Sequence, residues 1–162
     1  MELHPNVRAV QDALESADAR DGSGQLCRVR ILPDAVHTAP AAADALGVTV
    51  GQIANSLIFD AGGDPLLVLT SGAHRVDTGK VATALGIDRL GRATPEFVRE
   101  HTGQPIGGVA PVGHPKPLRT LVDTELAQYP EIWAAGGVPR AVFPTTYDEL
   151  LRITSGAPTP VA

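Results

Sequence analysis

At 162 residues, 43% apolar and 19% charged, the chain has the size and composition of one folded domain; with 4% aromatic residues, its core is aliphatic. A formal net charge of −5 excludes a protein that grips nucleic acid by neutralising long runs of phosphate, which needs a basic surface. It does not exclude one that handles only the end of a nucleic acid.

Val7, Val10, Leu14 and Ala17 recur at helical spacing and predict an amphipathic helix over 6–18. Asp21-Gly22-Ser23-Gly24 breaks it, and Cys27, Val29 and Ile31 then alternate with Arg28 and Arg30 as a strand with one polar face. Thr38 is an expected N-cap with Pro40 in the first turn, and Gly47 closes a short Ala-rich helix. Ser56–Asp60 and Leu66–Thr70 flank Gly62-Gly63-Asp64-Pro65 as a hairpin. Asp77 caps a helix over 78–85 ended by Gly86, and Thr94-Pro95-Glu96 opens another with cap, proline and acid in order. Leu118–Val122 reads as a strand followed by a short helix from Asp123 or Thr124. Two further strands, Ile132–Ala135 and Ala141–Phe143, surround Gly136-Gly137-Val138-Pro139. Thr145–Ile153 is expected as a closing helix, with Thr146 and Glu149 at capping-box spacing, and the Pro-rich 156–162 as a frayed tail. Strands and helices intermix without strict alternation, which favours a single-domain α+β fold with a mixed sheet. No internal repeat or linker divides the chain.

The densest cluster of unusual residues is Ile106-Gly107-Gly108-Val109-Ala110-Pro111-Val112-Gly113-His114, directly after Gly103-Gln104-Pro105. Glycines let a ligand lie against the main chain, and a proline stiffens the loop while neighbouring N–H groups stay free to point at a carbonyl or carboxylate. A tight turn between two strands uses the same residues.

Other chemistry is missing. There is no Gly-x-x-x-x-Gly-Lys-Ser/Thr loop, no Gly-x-Gly-x-x-Gly after a strand and no Gly-x-Ser-x-Gly elbow, so neither a nucleotide cofactor nor a serine nucleophile is expected. The five histidines His4, His37, His74, His101 and His114 show no metal-ligand spacing, and no metal or other cofactor is expected. Cys27 reads as a buried, inert thiol on a strand and has no partner for an internal disulfide. No apolar run approaches a membrane span and no signal-peptide h-region opens the chain, so a cytoplasmic protein with no membrane partner is expected.

Taken in order, several segments resemble the YbaK/prolyl-tRNA synthetase-associated domain family. They are Gly51-Gln52-Ile53-Ala54-Asn55-Ser56-Leu57-Ile58-Phe59, Leu67-Val68-Leu69-Thr70-Ser71-Gly72, Arg75-Val76-Asp77-Thr78-Gly79-Lys80-Val81, Thr102-Gly103, the glycine loop, Leu121-Val122-Asp123 and Ala134-Ala135-Gly136-Gly137. Gly107 and Pro111 match the family's Gly-x-x-x-Pro loop. The resemblance covers roughly 35–155, leaving 1–34 as an N-terminal helix and strand of the same domain and 156–162 as a flexible tail. It implies a mixed, strongly curved sheet flanked by helices, and a trans-editing deacylase that hydrolyses the ester of a mischarged tRNA carrying a small amino acid. The implied partners are the aminoacylated terminal adenosine of tRNA and a synthetase, with no DNA. One position departs from the pattern: many members carry a lysine in an Ile-x-Lys-Ser/Thr-Leu setting, where this chain has Asn55. That change removes a formal charge, which weakens tRNA binding, redirects the substrate, or leaves a non-catalytic module that holds an aminoacyl-adenosine or a partner protein.

Ester hydrolysis needs a placed water, a proton acceptor and donors aimed at the developing oxyanion. The N–H groups of the Gly107–Pro111 loop, Gly108 included, are the expected donors, with a sugar hydroxyl or a phosphate helping to activate the water. Asn55 is expected to orient the carbonyl or ribose, or else to satisfy strand-end backbone. His114 and His74 are candidates for a phosphate contact or a proton shuttle, and Lys80 for a phosphate contact. Ser56, Ser71, Gly72 and Gly136 complete the expected substrate-binding set; Gly136 serves by backbone approach on the opposite wall. Asp123 is expected as a helix cap, and Val50, Ile53, Leu69 and Ile106 are lining candidates.

Overall fold

The computed structural model describes residues 3–162. Its helices begin and end where local chemistry dictates. Helix α1 (Pro5–Ser16) buries Val7, Val10 and Leu14 on one stripe. Helices α2 (Ala39–Leu46), α3 (Thr78–Leu85) and α4 (Pro95–Thr102) are capped by the side chains of Thr38, Asp77 and Thr94, and each closes at a glycine: Gly47, Gly86 and Gly103. Helix α5 is Tyr147–Thr154, starting two residues later than the sequence suggests because the preceding strand runs through Thr145 to pair with Ile132. Thr146 caps it, but the Glu149 carboxylate turns away to the Arg20 N–H and the Arg152 guanidinium instead of closing a capping box.

The strands are β1 (Arg30–Ile31), β2 (Ile53–Ala61), β3 (Asp64–Ser71), β4 (Gly91–Arg92), β5 (Arg119–Asp123), β6 (Ile132–Ala135), β7 (Ala141–Thr145) and β8 (Ala157–Thr159). They form one mixed sheet in the order β1-β7-β6-β2-β3-β5-β8, with β4 on β2. The β2–β3 hairpin turns on Gly62 and Gly63, whose φ values of 69° and 101° are those of a primed two-residue turn that other residues resist. Both faces of the sheet are covered. Leu67, Leu69 and Val122 pack with α1, α4 and α5, while Leu66, Val68 and Leu121 pack with α3, and Ile53 and Trp133 with α2. Hence β3 is buried continuously from Leu66 to Ser71 and does not alternate.

Two expectations need correction. The strand foreseen over 27–31 contracts to Arg30–Ile31, because Val29 N–H and Cys27 C=O are taken by the Gln11 side chain and Cys27 N–H by Ala19. Ile31 consequently faces solvent at 52% exposure, while Cys27 is fully buried, its thiol pKa pushed up by that burial. The tail foreseen as frayed is instead ordered: β8 pairs parallel with β5, Val161 is completely buried against the α3 cluster, and its carbonyl accepts Asp77 N–H at 2.7 Å. Proline is tolerated there because an edge strand needs donors on one side only. Val161→Ala is therefore expected to cost about 2 kcal/mol in urea unfolding; a change below about 0.5 kcal/mol, as for a loose tail, would show the packing to be absent.

Candidate active site

Strands β2 and β6 run parallel for only two residue pairs, Ile53 with Trp133 and Ala54 with Ala134. Beyond them β2 is next paired on that side at Phe59 and Asp60, by β4. The sheet therefore opens beside Asn55 and Ser56. Three segments close around the opening: His37–Ala39 at the start of α2, Gly107–Val109 of the glycine loop, and Val138–Pro139 between β6 and β7. They enclose a recess of about 50 Å³ with walls from Ile53, Ala134, Ala135 and Val142. The recess joins an outer groove of about 910 Å³, and His37, Asn55, Ser56, Gly107 and Val109 line both.

The glycine loop is held from behind. Ala110 N–H donates to Gln104 Oε1 and Ala110 C=O accepts from His114 Nε2, both at 2.7 Å, so that peptide pair is clamped by two side chains. Thr102 Oγ1 in turn accepts Gln104 N–H and donates to Val98 C=O, anchoring the loop on α4. Gly108 N–H closes a turn onto Pro105 C=O. The N–H groups of Gly107 and Val109 find no acceptor among the described residues, and both residues line the recess. Alternate donors of the loop are thus satisfied internally and left unengaged among the described residues. Gly107 has φ of 89°, and a Cβ on Gly108 would lie 2.9 Å from Val138 backbone carbons, so neither glycine is replaceable without moving the loop.

A second polar cluster lies behind the groove, which it reaches at Asn55 and His74. Asn55 of β2 is paired with Thr70 of β3, whose hydroxyl donates to the buried Asp123 at the end of β5. Asp123 also accepts Ser71 N–H and Glu125 N–H and holds His74 Nδ1 at 2.9 Å. It caps the short helical turn after β5, as the sequence suggests, and additionally sets the orientation of His74, whose Nε2 lies 3.8 Å from Glu125. Asn55 itself is half-buried, and its amide has no hydrogen bond among the described residues. Ser56 Oγ is buried without a partner.

The expected site residues divide accordingly. Asn55, Ser56, Gly107, Gly72 and His74 line the recess or groove, as do Ile53 and Ile106. The others serve the scaffold. Gly108 and Pro111 are buried in the loop's packing, Ser71 Oγ donates to Gly51 C=O, and Gly136 is wedged between Ala141 and Val29 instead of facing a ligand. Lys80 Nζ donates to Ala162 C=O away from the groove, Leu69 lies in the core, and Val50 packs with α2. His114 faces the loop, not the groove; burial lowers its pKa, and donation to a carbonyl fixes the proton on Nε2. His37, Arg75, Arg92 and the Val138–Pro139 wall were not foreseen. Their signal in the chain was only that His37 precedes a helix cap and Val138-Pro139 follows two glycines.

Among the described residues no group of His, Cys, Asp and Glu is arranged to hold a metal, and no helix is long and apolar enough to cross a membrane. The model of the aminoacyl-tRNA editing domain family matches residues 33–153, and the chain belongs to that family. A solved structure described as a candidate trans-editing enzyme for prolyl tRNA synthetase superposes with a TM-score of 0.88 at 45% identity, covering 99% of this chain and 98% of its own. The expected mixed α/β single domain is thereby borne out. A proline–tRNA ligase of Nitratidesulfovibrio vulgaris is 38% identical over 56% of this chain, which spans only 16% of that ligase. An uncharacterized Bacillus subtilis protein, YwhH, is 31% identical over 70% of this chain and 72% of its own.

The clamp has a pH signature. Because His114 is held neutral, its folded-state pKa lies below its unfolded value of 6.5, so the unfolded chain binds the extra proton first. The stability contributed by this residue is complete above that value and is lost as pH falls below it, until the folded pKa is passed. Urea unfolding between pH 7 and 5 should show wild type losing stability more steeply than His114→Gln, with a limiting difference of about 1.4 kcal/mol per pH unit. Equal slopes would show that the ring is not held neutral.

Proposed function

We propose that this chain is a trans-editing aminoacyl-tRNA deacylase, hydrolysing the ester that joins a small amino acid to the terminal adenosine of a mischarged tRNA. The observation that carries this reading is the pair of unengaged N–H groups, Gly107 and Val109, at the throat between a small recess and a wide groove. The ester carbonyl sits at the throat, with its oxygen taking those two donors. The amino-acid side chain enters the recess, whose 50 Å³ and mixed apolar and polar walls suit a residue such as alanine, cysteine or serine. The adenosine and its phosphates occupy the groove, with the Asn55 amide at the ribose or the carbonyl.

Charge supports the same placement. Although the protein carries a net charge of −5, the groove is lined by Arg75, Arg92, His37 and His74 and by no carboxylate residue. Arg75 and Arg92 form no ion pair among the described residues. They supply the positive charge that Asn55 does not, and a synthetase supplies any further grip on the tRNA. The reading as a non-catalytic module rests on Asn55 alone, whereas the unengaged Gly107 and Val109 N–H groups support the hydrolase.

The test is release of amino acid from a panel of mischarged tRNAs, beginning with Ala, Cys and Ser on proline tRNA. Hydrolysis above the spontaneous rate is expected, and Gly108→Val should lower kcat on the order of 100-fold by displacing the donors. No release across a panel covering every acceptor would overturn the deacylase. Combined Arg75→Ala and Arg92→Ala should raise KM and flatten the salt dependence of tRNA binding, each lost phosphate contact removing about 0.7–0.9 from the log–log slope. An unchanged slope would remove the arginines from the tRNA path.

A further inference from the structure

The glycine loop stabilises negative charge but cannot take a proton. A sugar hydroxyl or phosphate helps to activate the water from the substrate's side, and a protein side chain can do so from the other. The side chains lining the recess single it out by elimination. They are aliphatic or aromatic except for Thr38, Asn55, Ser56 and His37. The Thr38 hydroxyl is engaged as the cap of α2, accepting Ala41 N–H. The Asn55 amide is not basic, and Ser56 Oγ is buried with no base bonded to it, so it is neither an acceptor of protons nor an activated nucleophile. His37 is the one imidazole among them, a side chain whose ring nitrogens can take a proton from water and give it back.

Its placement suits the task. His37 Nδ1 lies 3.6 Å from the point where a Gly107 Cβ would stand, beside the first of the two unengaged N–H groups. The residue lines the recess and the groove together, which puts it at the throat. The backbone on either side is fixed: Val36 N–H donates to Pro139 C=O at 2.9 Å, and Thr38 is locked by capping α2. The imidazole has no hydrogen bond or ion pair among the described residues, so both ring nitrogens are open to a ligand. His74, by contrast, is committed to Asp123 through Nδ1, and His114 to Ala110 through Nε2.

We propose that His37 is the general base and acid of this site, a role that rests on the deacylase reading. A water held by a ring nitrogen attacks the ester carbonyl carbon; the new C–O bond forms as the water's proton passes to His37. The oxyanion is held by Gly107 and Val109 N–H. As the tetrahedral species collapses, the bond to the ribose oxygen breaks and the imidazolium returns the proton to that oxygen. The products are the free amino acid, which loses its carboxyl proton to solvent, and tRNA with its terminal hydroxyl restored. No protein nucleophile, metal or co-reactant enters the balance.

The experiment is steady-state deacylation of Ala-, Cys- and Ser-charged proline tRNA by wild type, His37→Ala and His37→Gln, with thermal unfolding of each as a control for folding. His37 is exposed, so all three should unfold alike. Both variants should lose kcat on the order of 100-fold or more with KM within about threefold. Added imidazole should restore His37→Ala, because the vacated site admits the free base, and should not restore His37→Gln. A variant kcat within about threefold of wild type, a loss confined to KM, or a loss in His37→Ala that imidazole leaves untouched would each overturn the proposal while leaving the deacylase intact. A wild-type chain silent on the whole panel is a different result and overturns the deacylase reading together with this role.

Discussion

The glycine loop and the β6–β7 connection meet where Gly108 faces Val138 and Pro139, at a distance that leaves no room for a side chain. Everything at the site depends on that approach. With a Cβ at 108 the two segments must part by enough to relieve a 2.9 Å contact with backbone, and the throat between recess and groove widens with them. Backbone cannot yield as a flexible side chain can, so the constraint is rigid. Around it the loop spends its hydrogen-bonding capacity unevenly. Gly108 and Ala110 donate internally and hold the shape; Gly107 and Val109 do not and hold the opportunity. Preorganised donors of this kind stabilise developing charge because they need no reorganisation when it appears.

The buried Asp123 plays the corresponding part on the other wall. Its carboxylate takes donors from β3, from the turn after β5 and from His74, so one acidic group satisfies the ends of two strands and orients a groove residue. Removing it would leave those donors without an acceptor in a place water barely reaches, which costs more than the bonds themselves contribute. Its row with Thr70 and Asn55 runs across three adjacent strands, and of the three only Asn55 lines the groove.

Much of the architecture was legible in the chain because its causes are local. A capping hydroxyl or carboxylate, a first-turn proline and a closing glycine act within one turn, and Thr38, Asp77 and Thr94 all cap helices where the residue pattern places them. The hairpin at Gly62-Gly63 is local in the same sense. Misreadings arose where a distant partner decided the outcome. The Gln11 side chain claims the backbone at Cys27 and Val29 and so shortens a strand that alternates convincingly. The free edge of β5 recruits Ala157–Thr159, so a proline-rich segment becomes a strand and Val161 a core residue.

The same division holds at the site. Sequence by itself determined the family, the glycine loop and the absence of a charged side chain at Asn55, because motifs and composition survive without coordinates. Tertiary structure alone decided which loop N–H groups stay free, since that depends on Gln104 and His114 clamping Ala110. It alone brought His37 against Gly107, across seventy residues of chain, and turned His114, Lys80 and Gly136 from ligand candidates into scaffold. The physical reason is that a side chain's type can be read anywhere, whereas its availability is set by whichever partner folding places within hydrogen-bond reach.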